Sequence, residues 1–337
     1  MSDAVTIGIN GFGRVGRAVL VASLSNPAVR VTAINDPFIS ADYAAYLVKH
    51  DSATGGFKGS VEAKKDAIVV DGCTIAVTQK SDPSSVPWGD SHVTYVIECS
   101  GVHTTHDRAG AHLAGGASRV VIAAPSSDAV TLVQGVNADS MKPSTQVISA
   151  GSCTGMAVCP ILRFLGERFG VDECTFTAVH AVTPTQKVVD GAQGKEWRSA
   201  RSAMTNIIPH SSGATKTIQK VLPQLANKVL GTSLRVPVQN GCALDITVRL
   251  TNGISKEALD LAIQEASQPG SPFYGLLAFS SEELVSSDVS ASAASIYDSK
   301  ASVSLSSTTH KLLWWYSHEL GYAQRLLLLI AQTNASW

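Results

Sequence analysis

Apolar residues in the first third of the chain form short continuous runs that alternate with segments of helical spacing. Residues 5–9 and 29–34 indicate buried strands, and residues 17–23 between them carry the spacing of an amphipathic helix. The order strand, turn, helix, strand is typical of a βαβ unit in a parallel sheet. Further strands are predicted at residues 93–98, 119–123 and 145–149, and a helix near residues 108–114.

The pattern changes at about residue 153. Residues 157–169 predict a helix, and longer segments of alternating polarity follow at residues 175–182, 234–238 and 243–250. Such alternation predicts strands with one covered face, and so an α+β domain with a largely antiparallel sheet. The rest of the chain predicts a covering helix at residues 256–266, a loop at 286–295 and a buried, leucine-rich helix at 321–331.

The chain has 337 residues, which is more than a single ordinary hydrophobic core requires. We therefore predict two domains. Residues 1–152 form an α/β domain of Rossmann type, and the C-terminal helix (317–337) packs back on it. Residues 153–316 form the α+β domain, which we expect to be catalytic for the reasons given below.

Composition and charge exclude several function classes. Hydrophobic residues make up 45% of the chain and charged residues 16%, which is typical of a folded globular interior. A net charge of -1 provides no field that would recruit a nucleic acid, so no such partner is predicted. The apolar runs are well short of the roughly 20 residues that span a membrane, and the first residues lack a signal peptide's apolar core. We therefore expect a cytoplasmic protein without membrane association.

The six cysteines are scattered along the chain, and no two of them stand in a C-x-x-C spacing. Such an arrangement favours reduced thiols over a disulfide framework or a zinc site. No metal is therefore predicted as a cofactor.

A glycine motif follows the first predicted strand. Gly11, Gly13 and Gly16 stand in the spacing G-x-G-x-x-G between a strand and a helix, where backbone N–H groups can bind a pyrophosphate. Asp36 lies 20 residues beyond Gly16 at the end of the next strand. Its carboxylate would bind the ribose hydroxyls of NAD and repel the 2′-phosphate of NADP. The motif therefore predicts NAD as the cofactor and disfavours NADP.

Cys153 lies after small residues at the junction of a predicted strand and a helix. A thiol at a helix N-terminus ionises more easily because free N–H groups stabilise the thiolate. His180 lies inside an apolar strand pattern and could form an ion pair with such a thiolate. The spacing does not show that the two residues meet, and it leaves a purely structural histidine equally open.

With these motifs the chain resembles the phosphorylating glyceraldehyde-3-phosphate dehydrogenase family from residue 5 to about residue 328. The motifs that carry the resemblance are Ile9-Asn10-Gly11-Phe12-Gly13-Arg14-Val15-Gly16-Arg17, Ala33-Ile34-Asn35-Asp36-Pro37-Phe38, His50-Asp51-Ser52, Gly135-Val136-Asn137, Ser152-Cys153-Thr154, Thr183-Pro184-Thr185-Gln186-Lys187-Val188-Val189-Asp190-Gly191, Asn206-Ile207-Ile208-Pro209, Leu234-Arg235-Val236-Pro237 and Gly321-Tyr322.

The resemblance implies an NAD-dependent aldehyde dehydrogenase of glycolysis and gluconeogenesis. Cys153 attacks the aldehyde of D-glyceraldehyde 3-phosphate, while His180 takes the thiol proton and stabilises the oxyanion. Hydride transfer to NAD leaves a thioester, which inorganic phosphate attacks to release 1,3-bisphosphoglycerate. A homotetramer is also implied, in which residues 183–201 lie near the cofactor of a neighbouring subunit.

The resemblance also assigns binding residues. Thr183 and Arg235 match positions that bind the substrate phosphate, since hydroxyl and guanidinium groups suit phosphate oxygens. The positions assigned to the attacking phosphate are Ser152, Ser212 and Gly213, with Arg201 nearby, and Thr154 is assigned to substrate or phosphate binding in general. The positions assigned to the cofactor are Gly11, Phe12, Gly13, Arg14, Val15, Gly16, Asp36, Ser100, Gly101, His318 and Tyr322.

Several positions depart from the family pattern. The usual Cys-Thr-Thr-Asn-Cys is replaced by Cys153-Thr154-Gly155-Met156-Ala157, and Ala150 replaces an asparagine. His318 replaces the asparagine that holds the nicotinamide carboxamide, and imidazole cannot both donate and accept with the geometry of an amide. His103 and Ala123 replace a phenylalanine and a serine near the cofactor. These changes predict weaker or altered NAD binding.

Three alternatives stay open at this stage. An erythrose-4-phosphate dehydrogenase shares the chemistry, but Arg235 and residues 183–191 suit the triose enzyme better. A specialised paralogue with altered cofactor handling or inhibitor resistance fits the changes around Cys153. A catalytically weakened binding or regulatory protein on the same fold would not need both Cys153 and His180.

Overall fold

The computed structural model describes residues 4–53, 55–194 and 196–335. Their contacts divide the chain into two compact units. The N-terminal unit contains the described residues up to Gly151 together with those from Ala323 onward, and the second unit is Ser152–Tyr322.

The described part of the N-terminal unit is built around a nine-stranded sheet with the order β3-β4-β5-β2-β1-β6-β7-β9-β8. Its strands are β1 (Val5–Asn10), β2 (Val29–Asn35), β3 (Val61–Lys64), β4 (Ala67–Val70), β5 (Cys73–Thr78), β6 (Tyr95–Glu98), β7 (Arg119–Ile122), β8 (Val130–Thr131) and β9 (Val147–Ser149). Its first helices are α1 (Arg14–Ser23), α2 (Ala41–Lys49) and α3 (His106–Gly110).

The sheet is parallel from β5 through β8, and β1 lies at its centre between β2 and β6. Ile7 and Ile9 of β1 are fully buried, as expected for a parallel strand that is covered on both faces. This arrangement confirms the predicted Rossmann-type α/β unit. The strands β3 and β4 were not predicted; they pair antiparallel at one edge, where short strands with exposed charges carry a weak apolar signal.

The helix predicted near residues 108–114 was only partly correct. α3 ends at Gly110, and the chain continues as a 3₁₀ turn over Ala111–Gly115. Glycine is a poor helix former, so the two glycines at 110 and 115 favour the shorter element.

A buried polar network links the end of β6 to the turn that follows β1. The Glu98 carboxylate accepts hydrogen bonds from Asn10 Nδ2 at 2.6 Å and from the Ser100 backbone N–H at 2.7 Å. His112 Nδ1 accepts from the Trp88 indole N–H at 3.1 Å, so its other nitrogen, Nε2, carries the proton that is donated to Glu98 at 2.9 Å. The network fixes the loop between β6 and α3 against the strand ends.

The second unit, within the described residues, has a seven-stranded sheet with the order β11-β12-β10-β13-β16-β15-β14. Its strands are β10 (Val171–Ala181), β11 (Ile208–His210), β12 (Val229–Val236), β13 (Cys242–Leu250), β14 (Leu277–Ser280), β15 (Ser295–Ser304) and β16 (Thr309–Tyr316). Its helices are α4 (Cys153–Phe169), α5 (Ala214–Val221) and α6 (Lys256–Ala266), and the chain ends in α7 (Leu320–Ala335).

Four of the six described strand pairs in this sheet are antiparallel, which confirms the predicted largely antiparallel α+β unit. The pairs β10–β12 and β14–β15 are parallel. The loop predicted at residues 286–295 contains a short 3₁₀ turn, Ser286–Val289, and its last residue opens β15. α7 is longer than predicted, and Leu326, Leu329 and Ile330 are fully buried, as its apolar pattern indicated.

Removing the His112 side chain tests the buried network. In His112→Ala the Glu98 carboxylate and the Trp88 N–H would each lose a buried partner, so we expect the free energy of unfolding to fall by about 3 kcal/mol or more. Urea unfolding of the full chain, followed by tryptophan fluorescence, measures the change. His106→Ala is the matched control, since His106 is largely exposed and its loss should change stability by no more than about 0.5 kcal/mol. Equal midpoints for both variants would show that the network contributes nothing.

Candidate active site

Cys153 is the first residue of α4, four residues before the predicted start of that helix. The Ser152 hydroxyl caps the helix by accepting a hydrogen bond from the Gly155 backbone N–H at 3.0 Å. Cys153 Sγ lies 3.4 Å from His180 Nε2. The structure thus brings together the two residues that spacing alone could not connect.

His180 and Arg235 are direct neighbours on the parallel strands β10 and β12. His180 Nδ1 lies 2.7 Å from the Ala181 carbonyl oxygen and also within hydrogen-bonding reach of Arg235 Nη1. One nitrogen cannot donate to the carbonyl and accept from the guanidinium at the same time. Only when Nδ1 donates to Ala181 does Nε2 keep the lone pair that can accept the proton of Cys153.

Burial sets the protonation states of this pair. It raises the pKa of the Cys153 thiol, while the Arg235 guanidinium and hydrogen bonds from Thr154 act in the opposite direction. Burial also lowers the pKa of His180 well below its usual value, and the charges of Arg235 and His318 lower it further. These shifts favour a neutral thiol and a neutral imidazole. Desolvation thus opposes the easier ionisation that the helix N-terminus predicts for Cys153.

Two residues that sequence reasoning did not select support the nucleophile. The Tyr316 hydroxyl lies 2.9 Å from Thr154 Oγ1, and the Tyr316 ring meets His180 edge to face at 6.2 Å between centroids. Cys242 Sγ accepts a hydrogen bond from the Ala181 backbone N–H at 3.4 Å. Burial raises the pKa of Cys242, so this thiol stays protonated. The inward alternation of β13 and β16 was the signal that could have identified both residues.

Besides Ser152 and Thr154 at the start of α4, the predicted phosphate-binding residues occupy four places in the second unit. Arg235 lies beside His180, whereas the Arg201 guanidinium donates to Asp190 at 2.8 Å on an exposed segment. The Thr183 hydroxyl and backbone N–H both lie 3.0 Å from Gln186 Oε1. Ser212 and Gly213 lie immediately before α5, where Ser212 Oγ accepts from the backbone N–H of residue 214.

The glycine turn fits a dinucleotide. Gly11 has a φ of +88°, and a Cβ on Gly16 would lie 2.1 Å from the Gly11 carbonyl oxygen. A Cβ on Gly13 would meet nothing within 4 Å, so the start of α1 presents open backbone. The Asp36 carboxylate accepts from the Phe12 backbone N–H at 2.8 Å, which holds it beside this turn.

The other predicted cofactor residues of the N-terminal unit have their side chains engaged in the protein. The Phe12 ring is fully buried, and the Arg14 guanidinium forms an ion pair with Asp51 at 2.7 Å. The Ser100 backbone N–H donates to Glu98, and Val15 and Gly101 carry no polar side chain. We therefore expect contacts with a cofactor at these positions to come mainly from the backbone.

Two family models match the chain: the NAD-binding domain of glyceraldehyde 3-phosphate dehydrogenase over residues 5–106 and the C-terminal domain of the same enzyme over residues 152–318. A glyceraldehyde-3-phosphate dehydrogenase 1 of Mucor circinelloides f. lusitanicus is 46% identical over 97% of this chain and 96% of its own length. A glyceraldehyde-3-phosphate dehydrogenase of Podospora anserina is 43% identical over 97% of both chains. The chain belongs to the glyceraldehyde-3-phosphate dehydrogenase family.

Membership confirms the predicted family, its two-part fold and NAD as the cofactor of the N-terminal part. A chloroplastic relative from Arabidopsis thaliana, GAPCP1, is 45% identical over 98% of this chain and 78% of its own length. Within the described residues, no helix combines the length and apolar character needed to cross a membrane. The same residues contain no group of three or more His, Cys, Asp or Glu side chains placed to hold a metal ion.

The departures from the family pattern after Cys153 are packing changes. A Cβ on Gly155 would lie 3.1 Å from Thr217 Cγ2 of α5, so a larger residue would require the Thr217 side chain to shift by a few tenths of an ångström. Met156, Ala157 and Cys159 are buried. The hydrogen bond between the hydroxyl groups of Thr154 and Tyr316 stabilises the start of α4.

The two predicted cofactor residues of the second unit, His318 and Tyr322, are both buried. The His318 ring meets the His180 ring edge to face, with 5.0 Å between centroids and 64° between planes. His318 Nε2 lies 3.7 Å from the Glu319 carboxylate. The residue that replaces the family's asparagine is therefore in direct contact with the proposed base.

Replacing His180 tests whether it activates the nucleophile. In His180→Asn, alkylation of Cys153 by iodoacetamide at neutral pH should slow by about 10²-fold or more, because the half-buried thiol loses its proton acceptor. The difference in alkylation rate between His180→Asn and the parent chain should disappear as the pH rises through the raised pKa of Cys153, because the thiol then ionises without a proton acceptor. Peptide mapping measures the rate, and Cys153→Ser provides the background from the other cysteines, of which Cys73 is exposed. Equal neutral-pH rates for His180→Asn and the parent chain would exclude this role.

Proposed function

We propose that this chain oxidises D-glyceraldehyde 3-phosphate to 1,3-bisphosphoglycerate, with NAD as the hydride acceptor and inorganic phosphate as the acyl acceptor. The observation that carries the proposal is the 3.4 Å contact between Cys153 Sγ and His180 Nε2, in a chain that belongs to this family. A nucleophile and a proton acceptor at this distance support acyl transfer through a covalent intermediate.

The first step begins with two neutral groups. Cys153 Sγ bonds to the aldehyde carbon while its proton passes to His180 Nε2, so that no free buried thiolate is required. The bond from His180 Nδ1 to the Ala181 carbonyl holds the ring in the tautomer that accepts this proton. The resulting imidazolium Nε2–H then stabilises the oxygen of the thiohemiacetal.

Arg235 has two roles in this proposal. Its Nη1 lies beside His180 Nδ1 and 3.3 Å from the Ala181 carbonyl oxygen, which can accept from both groups, and its charge lowers the pKa of His180. The doubly negative phosphate of the substrate, bound by Arg235 and Thr183, would draw the guanidinium towards itself. Substrate binding would then leave the donation from His180 Nδ1 to Ala181 without a guanidinium beside it.

The glycine turn and Asp36 would hold NAD, which supplies the acceptor for the hydride of the thiohemiacetal. Backbone N–H groups in the first turn of α1 suit the pyrophosphate, and the Asp36 carboxylate suits the ribose hydroxyls. The same carboxylate opposes the 2′-phosphate of NADP. His318 and Tyr322 are proposed at the nicotinamide end, where imidazole in place of an amide would weaken or alter NAD binding.

Phosphate completes the reaction. Ser152, Thr154, Ser212 and Gly213 are proposed to hold it, with Arg201 nearby. A phosphate oxygen bonds to the acyl carbon, the carbon–sulfur bond breaks, and the sulfur of Cys153 recovers a proton from the His180 imidazolium.

We propose that the protein is a homotetramer and that it is located in the cytoplasm. Support comes from an apolar patch on residues 183–207 of the second unit, where large hydrophobic side chains face solvent. The members of this patch are Val188, Val189, Trp197, Met204 and Ile207, and Trp197 is 80% exposed. An exposed patch of this kind is typical of a protein–protein interface.

Phosphate-dependent turnover tests the function. With D-glyceraldehyde 3-phosphate and NAD, we expect steady NADH formation only when inorganic phosphate is present, and Cys153→Ser should lower it by at least about 10³-fold. Arg235→Gln should raise the KM for the substrate by about 10- to 100-fold through loss of a charged phosphate contact. Arg249→Gln is the matched control, because Arg249 lies on β13 of the same sheet and is half exposed. The proposal would be overturned if NADH formed at the same rate without phosphate and at the same rate in Cys153→Ser.

The apolar patch predicts the assembly. Val189→Asp would place a charge in the proposed interface, so we expect the tetramer to dissociate towards dimers or monomers. Light scattering coupled to size-exclusion chromatography measures the mass. Leu305→Asp is the control, since Leu305 is 87% exposed and lies outside residues 183–207. A parent chain that elutes as a monomer would contradict the tetramer.

A further inference from the structure

His318 places a second ionisable ring against the proposed base. The ring centroids of His318 and His180 are 5.0 Å apart, and the residues are 4% and 3% exposed. An asparagine, which the family pattern carries at this position, cannot become charged. This chain therefore has a source of positive charge beside His180 that the family pattern lacks.

The charged and titratable groups around the pair belong to several elements. Glu319 faces His318 from the adjoining position of the chain, with 3.7 Å between its carboxylate and Nε2. The groups that act on His180 or lie against it are Cys153 of α4, His210 of β11, Arg235 of β12 and Tyr316 of β16, with Cys242 of β13 behind. Glu319 is thus the carboxylate that favours a positive charge on His318.

Both imidazoles cannot be charged at low cost. Nucleophilic attack by Cys153 requires His180 to become an imidazolium, and a second imidazolium 5.0 Å away in a buried site opposes that change. Arg235 already imposes one positive charge there. A protonated His318 would therefore hold His180 neutral, and Cys153 would keep its proton.

We propose that His318 is a positioning residue that competes with His180 for a single proton, so that Cys153 becomes nucleophilic only when His318 is neutral. This inference rests on the proposed function only in taking His180 as the base for Cys153. It is distinct from a contact with the nicotinamide, because it operates in the chain without cofactor. This competition for one proton makes the nucleophilicity of Cys153 depend on pH. An asparagine at position 318 would abolish that dependence.

The experiment measures alkylation of Cys153 by iodoacetamide, a neutral reagent, from acidic to neutral pH in the full chain without NAD or substrate. We expect His318→Asn and His318→Gln to react about tenfold faster than the parent chain at pH about 5.5. The ratio of rates should fall towards one as the pH rises and His318 in the parent chain loses its charge. Glu319→Gln, which removes the anion that favours charged His318, should move this transition to lower pH.

The matched control is His310→Asn, which removes another buried histidine from the same unit, on β16. It should leave the ratio at one across the range, and circular dichroism would check that each variant folds. A ratio that does not change with pH for both His318 variants would overturn the proposal. Failure of the proposed function appears separately, as absent phosphate-dependent NADH formation in the parent chain, because the alkylation assay needs neither cofactor nor substrate.

Discussion

The contact between Cys153 Sγ and His180 Nε2 is the interaction on which the proposed chemistry of this protein depends. Burial drives both partners to their neutral forms, raising the pKa of the thiol and lowering that of the imidazole. Each group alone would be inert near neutral pH. Held 3.4 Å apart, they can exchange one proton as the sulfur attacks, so charge develops only in the transition state.

Backbone geometry holds this contact in place. Cys153 is fixed by the cap of α4, and His180 is fixed by its place on β10, a strand that is hydrogen-bonded on both sides. Arg235 faces the same site because β12 runs parallel to β10 in a register that pairs the two residues. Side chains on helices and strands are held in position more precisely than side chains on loops.

The substitutions around the nucleophile fall into two kinds. Gly155 and Met156 belong to the packing of α4, where close approach to Thr217 and a filled core replace the polar residues of the family pattern. His318 instead touches His180 and brings a titratable group into the site. The changes at Gly155 and Met156 affect the packing that holds α4 in place. The change at position 318 alters the electrostatic environment of His180.

The sequence by itself determined the family, the parallel and antiparallel halves and the glycine turn with Asp36, and it proposed Cys153 and His180 as the reacting pair. These features depend on local periodicity, turn residues and motif spacing, all of which are written along the chain. Only the tertiary structure decided that Cys153 opens α4, that burial opposes its ionisation, and that Tyr316, Cys242 and His318 lie around the pair. Desolvation and contacts between strands that are distant in sequence cause these features, and neither is visible in the order of residues along the chain.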